Sequence, residues 1–255
     1  VTFCLGIKVR EGLIGIADTR ITIGSQTLSA RKITVIENGS DSMLLMTSGL
    51  RSVRDKVLTY FDEALQERPS GFDKLYKAAN LLADQIRRAV TEDKASLAES
   101  NLRFDLHCLI GGQLEADTEP RLYMLYPQAN WVEIGQGTPY CILGETTYGK
   151  PLLDRVLKYE SPLEVAFKAG YLAFESTQTS TATVAYPMDA VVYRVGERMQ
   201  TYRYLPEDLT GAAETWKYGL RRLVEKMPSE WMEPLLTEDA ISNVTPLNPA
   251  SVIEP

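Results

Sequence analysis

Thr2 stands one residue from the start of the sequence, and that position gives its hydroxyl a chemical option most threonines lack. A threonine hydroxyl is a weak nucleophile until a base takes its proton. A free α-amino group has an ordinary pKa of about 7.7–8.0, close to working pH. A threonine at the very N-terminus therefore carries nucleophile and base in one residue. Thr2 has no free amine while Val1 is attached, so Val1 must be gone for this chemistry. We expect a valine-coded start initiated with methionine, whose removal exposes Thr2. Few other residues offer covalent chemistry. His107 is the only histidine, so a zinc site built from several histidines is excluded and any Ser–His or Cys–His pair must use it. It falls among apolar neighbours in a stretch that reads as a strand, and we read it as structural. Cys4, Cys108 and Cys141 are odd in number and widely spaced. They suggest neither a CxxC pair nor a disulfide framework, which fits a reducing compartment.

The elements that must position Thr2 follow from composition and periodicity. The chain has 255 residues, 44% of them hydrophobic, enough for a sizeable core in one large domain. We expect that domain over 1–236, with a C-terminal helix at about 208–225, and an extended polar tail over 237–255. The net charge of −7 argues against a nucleic-acid partner, which needs a basic face. No apolar run reaches the roughly 18 residues that span a bilayer, and no signal peptide is visible. A cytoplasmic protein without a membrane partner is expected.

Residues 2–9 and 13–17 read as a hairpin around Glu11-Gly12, followed by strands at 32–37 and 42–47. Val53, Val57, Tyr60, Phe61 and Leu65 then recur at helical spacing, as do Leu75, Ala78, Leu81, Leu82, Ile86 and Val90. Strands return at 104–111 and 121–126, with a short piece near 131–134. Two helices follow, at about 148–158 and from a capping box at Ser161, Pro162 and Glu164 to about Phe174. Strands are expected at 182–184, 190–195 and 199–204. Clustered hairpins with helices grouped between them predict two sheets with helical layers outside.

Taken singly, Asp18-Thr19-Arg20 reads as a turn after a strand, Lys32 as an exposed lysine and Gly49 as a turn glycine. Taken in order, Thr2-Phe3-Cys4-Leu5-Gly6, Gly15-Ile16-Ala17-Asp18-Thr19-Arg20, Ala30-Arg31-Lys32-Ile33 and Thr47-Ser48-Gly49-Leu50 closely resemble the β subunits of proteasomes. Among these they look most like the bacterial ancestral β-subunit group, Anbu. The resemblance implies an α+β fold, the four-layer αββα sandwich of N-terminal-nucleophile hydrolases. It implies that Lys32 lies beside the threonine and favours its alkoxide, that Asp18 holds and aims Lys32, and that Arg20 fixes the loop and pairs with Asp18. It also implies that the Gly49 N–H stabilises the oxyanion. The outer shell departs from the pattern. Where proteasome β subunits carry Gly-Ser-Gly, this chain has Leu143-Gly144-Glu145-Thr146-Thr147-Tyr148-Gly149, with Glu145 or Thr146 at the place of the serine; Glu145 there would hydrogen-bond the α-amine and raise its pKa. Glu175-Ser176-Thr177-Gln178 stands in for Asp-Ser-x-Ser, and keeps Ser176 as a candidate.

The expected function is a threonine peptidase that takes extended peptides or unfolded segments beside Ile21 and Thr47. It needs no metal or organic cofactor. The expected partners are other copies of the chain, in a ring or an open helical assembly, and an ATP-driven unfoldase. The alternatives are a silent assembly subunit and an amidohydrolase of small amides.

Overall fold

The computed structural model describes residues 2–23, 26–38 and 41–233; the tail expected over 237–255 lies outside them. The first elements are β1 (Phe3–Val9), β2 (Gly12–Asp18), β3 (Arg20–Ile23), β4 (Gln26–Ser29), β5 (Ile33–Asn38) and β6 (Asp41–Gly49). Two helices, α1 (Arg51–Gln66) and α2 (Leu75–Glu99), lead to β7 (Leu106–Gly112), β8 (Arg121–Leu125), β9 (Trp131–Glu133) and β10 (Tyr140–Gly144). Then come α3 (Lys150–Val156), α4 (Leu163–Ser180), β11 (Met188–Arg194), β12 (Gln200–Tyr204) and α5 (Pro206–Glu225).

Every residue of β1 and β2 is buried. Strands covered on both faces read as near-continuous apolar runs, and these two do. They form the middle of a five-stranded sheet in the order β10-β1-β2-β11-β12. A second five-stranded sheet runs β5-β6-β7-β8-β9. Both are antiparallel throughout. Among the described residues, β3 and β4 pair only with each other.

Three apolar layers hold the stack together. Leu13, Ala17, Ile33, Leu44, Met46 and Leu109 fill the space between the two sheets. On the outer side of the second sheet, α1 buries Val53, Val57, Phe61 and Leu65, one stripe at helical spacing, and α2 adds its own. On the outer side of the first sheet, α4 packs Ala166, Ala169 and Phe174 against Phe3, Leu5 and Ile16. Phe3 meets Phe174 edge to face at 5.9 Å, and each such buried ring contributes roughly 1.5–3 kcal/mol by burial. The result is the expected α+β sandwich of four layers, αββα.

Several local expectations need correction. Residues 182–184 form no strand. Ser161 does not cap α4: its hydroxyl accepts from the Lys158 N–H, and Glu11 Oε2 instead accepts from the Leu163 N–H at 2.8 Å. The cap therefore comes from the β1–β2 turn, a tertiary contact no local motif encodes. Helix α4 runs on to Ser180, which puts 175–178 on the helix. Strands β3, β4 and β10 were not foreseen.

The chain divides after Thr210, within α5, into two compact units. The unit that begins at Gly211 carries the rest of that helix and a hydrogen bond from Trp231 Nε1 to the Pro228 carbonyl, 2.8 Å.

Candidate active site

Two hydrogen bonds pin the peptide that joins Thr2 to Phe3. Its carbonyl accepts from the Glu145 N–H at 2.7 Å, and the next residue, Phe3, donates its N–H to Asp18 Oδ1 at 2.9 Å. The first contact requires Gly144, whose φ is +90° and where a Cβ would come 1.8 Å from the Thr2 carbonyl oxygen. Strand β10 can close on the end of β1 only with a glycine there.

Asp18, the last residue of β2, is wholly buried. Its Oδ1 also accepts from Lys32 Nζ at 2.7 Å, and its Oδ2 from the Arg20 N–H at 3.1 Å. Lys32 is itself only 6% exposed, so the reading of an ordinary surface lysine is wrong. Its carbonyl accepts from the Thr47 N–H, which ties it to β6. Burial pushes the Asp18 carboxyl above its ordinary value, while Lys32 and the two N–H donors pull it back. The ammonium is thus held at a fixed place by a carboxylate that water does not reach.

Thr2, Lys32 and Gly49 line one cleft of about 400 Å³, together with Ile21, Thr47 and Arg20. Asp18 does not line the cleft but holds Lys32, which does. Gly49 has φ +141°, and a Cβ on it would lie 2.3 Å from the Asp105 carbonyl oxygen. The left-handed conformation and the close approach both demand glycine. Helix α1 starts two residues later, capped by Leu50 without a side-chain hydrogen bond. Its free N–H groups and dipole favour negative charge at this end. Lys32, Arg20, Arg51 and Arg54 add cationic side chains to the wall. The arrangement suits a developing alkoxide and oxyanion.

The remaining expectations fare differently. The Arg20 guanidinium does not pair with Asp18; its Nη1 donates to the Ala182 carbonyl at 2.5 Å, and only its backbone N–H reaches Asp18. Glu145 lies next to Thr2 through its backbone, but its Oε1 accepts from the Thr147 N–H, and that bond holds its carboxyl below the usual range. Neither Glu145 nor Ser176 lines the cleft. His107 pairs with Asp105 at 3.2 Å and meets the Tyr126 ring, outside the cleft. All three cysteines are free thiols. Burial pushes Cys4 above the ordinary thiol range, Cys108 up to about 12 and Cys141 to about 11, so none offers a thiolate near neutrality. Among the described residues no three His, Cys, Asp or Glu side chains group as metal ligands. No helix of the described residues is long and apolar enough to cross a membrane. Arg51 and Arg54 went unforeseen; their signal was the helical period starting directly after Gly49, which puts residues three apart on one face.

A profile of the family described as proteasome subunit matches residues 2–192. Comparison with curated proteins returned no match. Among solved structures, Anbu from Pseudomonas aeruginosa, described as a helical assembly, is similar at 28% identity and TM-score 0.80, covering 89% of this chain and 97% of that one. A Gly-1 mutant of Anbu from Hyphomicrobium sp. strain MC1 gives 27% and 0.79, covering 89% and 98%. Anbu, the ancestral β-subunit, from Yersinia bercovieri gives 25% and 0.80, also covering 89% and 98%. With the match over residues 2–192, the buried Asp18–Lys32 pair and this structural likeness, the chain belongs to the proteasome subunit family.

Proposed function

We propose that the chain is a threonine peptidase, active when Thr2 is its first residue. The observation that carries this reading is the hydrogen-bonded line from Lys32 Nζ through Asp18 Oδ1 to the Phe3 N–H, with Thr2 and Lys32 on the wall of the same cleft. The α-amine takes the proton from the Thr2 hydroxyl as Oγ1 attacks the peptide carbonyl carbon. Lys32 favours the alkoxide and keeps the amine from holding a proton beforehand. The Gly49 N–H and the start of α1 stabilise the oxyanion, a contribution of roughly 2.7–4 kcal/mol for one such donor. The C–N bond then breaks, the leaving amine takes the proton from the ammonium, and an ester remains on Thr2. Water gives a proton back to the amine and attacks the ester. Breaking the ester C–O bond frees the acid, and the α-ammonium returns its proton to Oγ1 to restore the hydroxyl.

Substrate enters as an extended peptide or unfolded segment beside Ile21 and Thr47, which both border the cleft. Copies of the chain assemble with one another, a reading supported by the helical assembly of the Pseudomonas relative. An ATP-driven unfoldase supplies the unfolded segments, in the cytoplasm.

A second reading is an assembly subunit with little turnover. It is favoured by the absence from the cleft of Ser176, one of the expected catalytic residues. Turnover of a fluorogenic peptide decides between the two. It is compared for protein beginning at Thr2, protein retaining Val1, and Thr2→Ala. Turnover confined to the first protein supports the peptidase. A correctly processed, assembled protein without turnover supports the assembly subunit.

A further inference from the structure

A second cavity, of about 660 Å³, is larger than the catalytic cleft and shares no residue with it. It lies between the C-terminal half of α2, the segment 102–104 that leads into β7, and the turn between β8 and β9. Small-molecule sites are concavities of this size, mostly apolar, with a few placed polar groups. Val90 and Phe104 supply part of the apolar wall and also pack on the core beneath. Leu102 completes that wall and is 48% exposed.

The far wall is built in advance of any ligand. Ala129 is buried in the turn with φ +61°, a conformation that a residue with a Cβ rarely adopts. Its N–H donates to the Tyr126 carbonyl at 2.9 Å, and its carbonyl accepts from Arg87 Nη2 at 2.8 Å. Arg87 Nη1 in turn meets Asp84 at 2.7 Å. Arg87 is therefore spent on holding the turn against α2. A non-glycine residue kept in this region by its surroundings is a feature that recurs at ligand clamps.

The other two cations are not spent. Lys94 and Arg103 line the cavity, no acidic side chain does, and neither cation meets an acceptor among the described residues. In a chain of net charge −7 such a pair is conspicuous. Helix α2 does not account for it: the dipole acts within the last turn, which carries no basic residue. The head group they suit is a monoanion. Arg103 offers a planar fork that matches a carboxylate, while the nearby carbonyl end of α2 disfavours the second charge of a phosphate.

We infer that this cavity is a binding site for a small organic acid. Its carboxylate pairs with Lys94 and Arg103, and its apolar body covers Val90, Leu102 and Phe104. Charge fixes the orientation, and burial of the body supplies most of the affinity, because the two cations are exposed and screened.

Isothermal titration of the full chain with octanoate tests this. One site per chain is expected. Octan-1-ol, without the charge, should bind about fivefold more weakly. Hexanoate should bind about tenfold more weakly, since two fewer methylenes are buried. Replacing both cations, Lys94→Met with Arg103→Met, should weaken octanoate by about tenfold and leave octan-1-ol unchanged. Leu102→Asp keeps both cations, spoils the apolar wall and adds a like charge; it should weaken octanoate by more than tenfold. Octanoate affinity unmoved by these variants places the ligand elsewhere, the cationic cleft included, and overturns the inference. Absence of binding overturns it too, as does octyl phosphate binding more tightly than octanoate. None of these readouts needs peptide turnover, so they stand apart from the peptidase reading.

Discussion

Two buried lysines join the sheets, and they sit at different ends of the first strand. Lys32, just before β5, pairs across to Asp18 on β2; Lys8, on β1, pairs across to Glu133 on β9 and to Glu119. Lys8 and Thr2 are six residues apart on an extended chain, about 20 Å. Both lysines are shielded, at 6% and 2% exposure, yet their partners differ. Lys32 has one carboxylate, wholly buried, at 2.7 Å. Lys8 has two at 3.3 and 3.4 Å, both about one-third exposed and both also paired with Arg121. A single dry pair holds its charge at one point and is intolerant of loss. A shared, half-wet cluster spreads its charge and tolerates loss. The first property suits positioning beside a nucleophile, the second suits pinning two sheets together.

The largest expected effect separates the two lysines directly. Lys32→Met strands Asp18 as a lone buried carboxylate, so it should abolish peptide turnover and cost roughly 3–5 kcal/mol of stability in urea unfolding. A smaller catalytic effect is expected at Gly49→Ala, whose new Cβ meets the Asp105 carbonyl at 2.3 Å. Displacing that backbone should lower kcat by roughly 100- to 1000-fold, with KM changed less. Lys8→Met should cost only about 1 kcal/mol, because Glu119 and Glu133 keep Arg121 and solvent. Its turnover should match the parent; a large loss of turnover would erase the distinction drawn between the two ends.

Acid should reveal the same contrast more gently. Burial raises the Asp18 carboxyl above its ordinary 3.8, so its pairing with Lys32 is lost at a pH above that value. Burial also acts to raise Glu119, but Tyr159 and Lys8 hold it below its ordinary 4.5. Glu119 therefore contributes stability that is present above pH 4.5 and lost only as pH falls through its lower folded value. Turnover should fall first as the α-amine, of ordinary pKa about 7.7–8.0, takes up a proton, and further as Asp18 does, while the fold, followed by circular dichroism, persists to lower pH. Simultaneous loss of both would contradict this ordering.

The sequence made much of this legible, and the misses have physical causes. The runs around Phe3 and Ile16 announce strands buried on both faces, and the stripe from Val53 to Leu65 announces α1. Thr2, Asp18, Lys32 and Gly49 were found as an ordered set, which carries more information than any member alone. Lys32 by itself reads as a surface residue, because its burial depends on Asp18, fourteen positions away. The cap of α4 by Glu11 spans 152 positions and leaves no local trace. Ser161, Pro162 and Glu164 satisfied the local rule and lost to that contact. Strand β10 is short, and only its pairing with β1 makes it a strand. Among the described residues, Arg54 Nε is buried without a partner, which no spacing rule reports.

The most direct test is the covalent fate of Thr2. A peptide epoxyketone reacts with an N-terminal threonine at two atoms: the hydroxyl adds to the ketone and the amine opens the epoxide. Mass spectrometry of treated protein that begins at Thr2 should place one adduct on that residue, and Lys32→Met should remove it. Correctly processed, folded and assembled protein that stays unmodified at Thr2 would contradict the account.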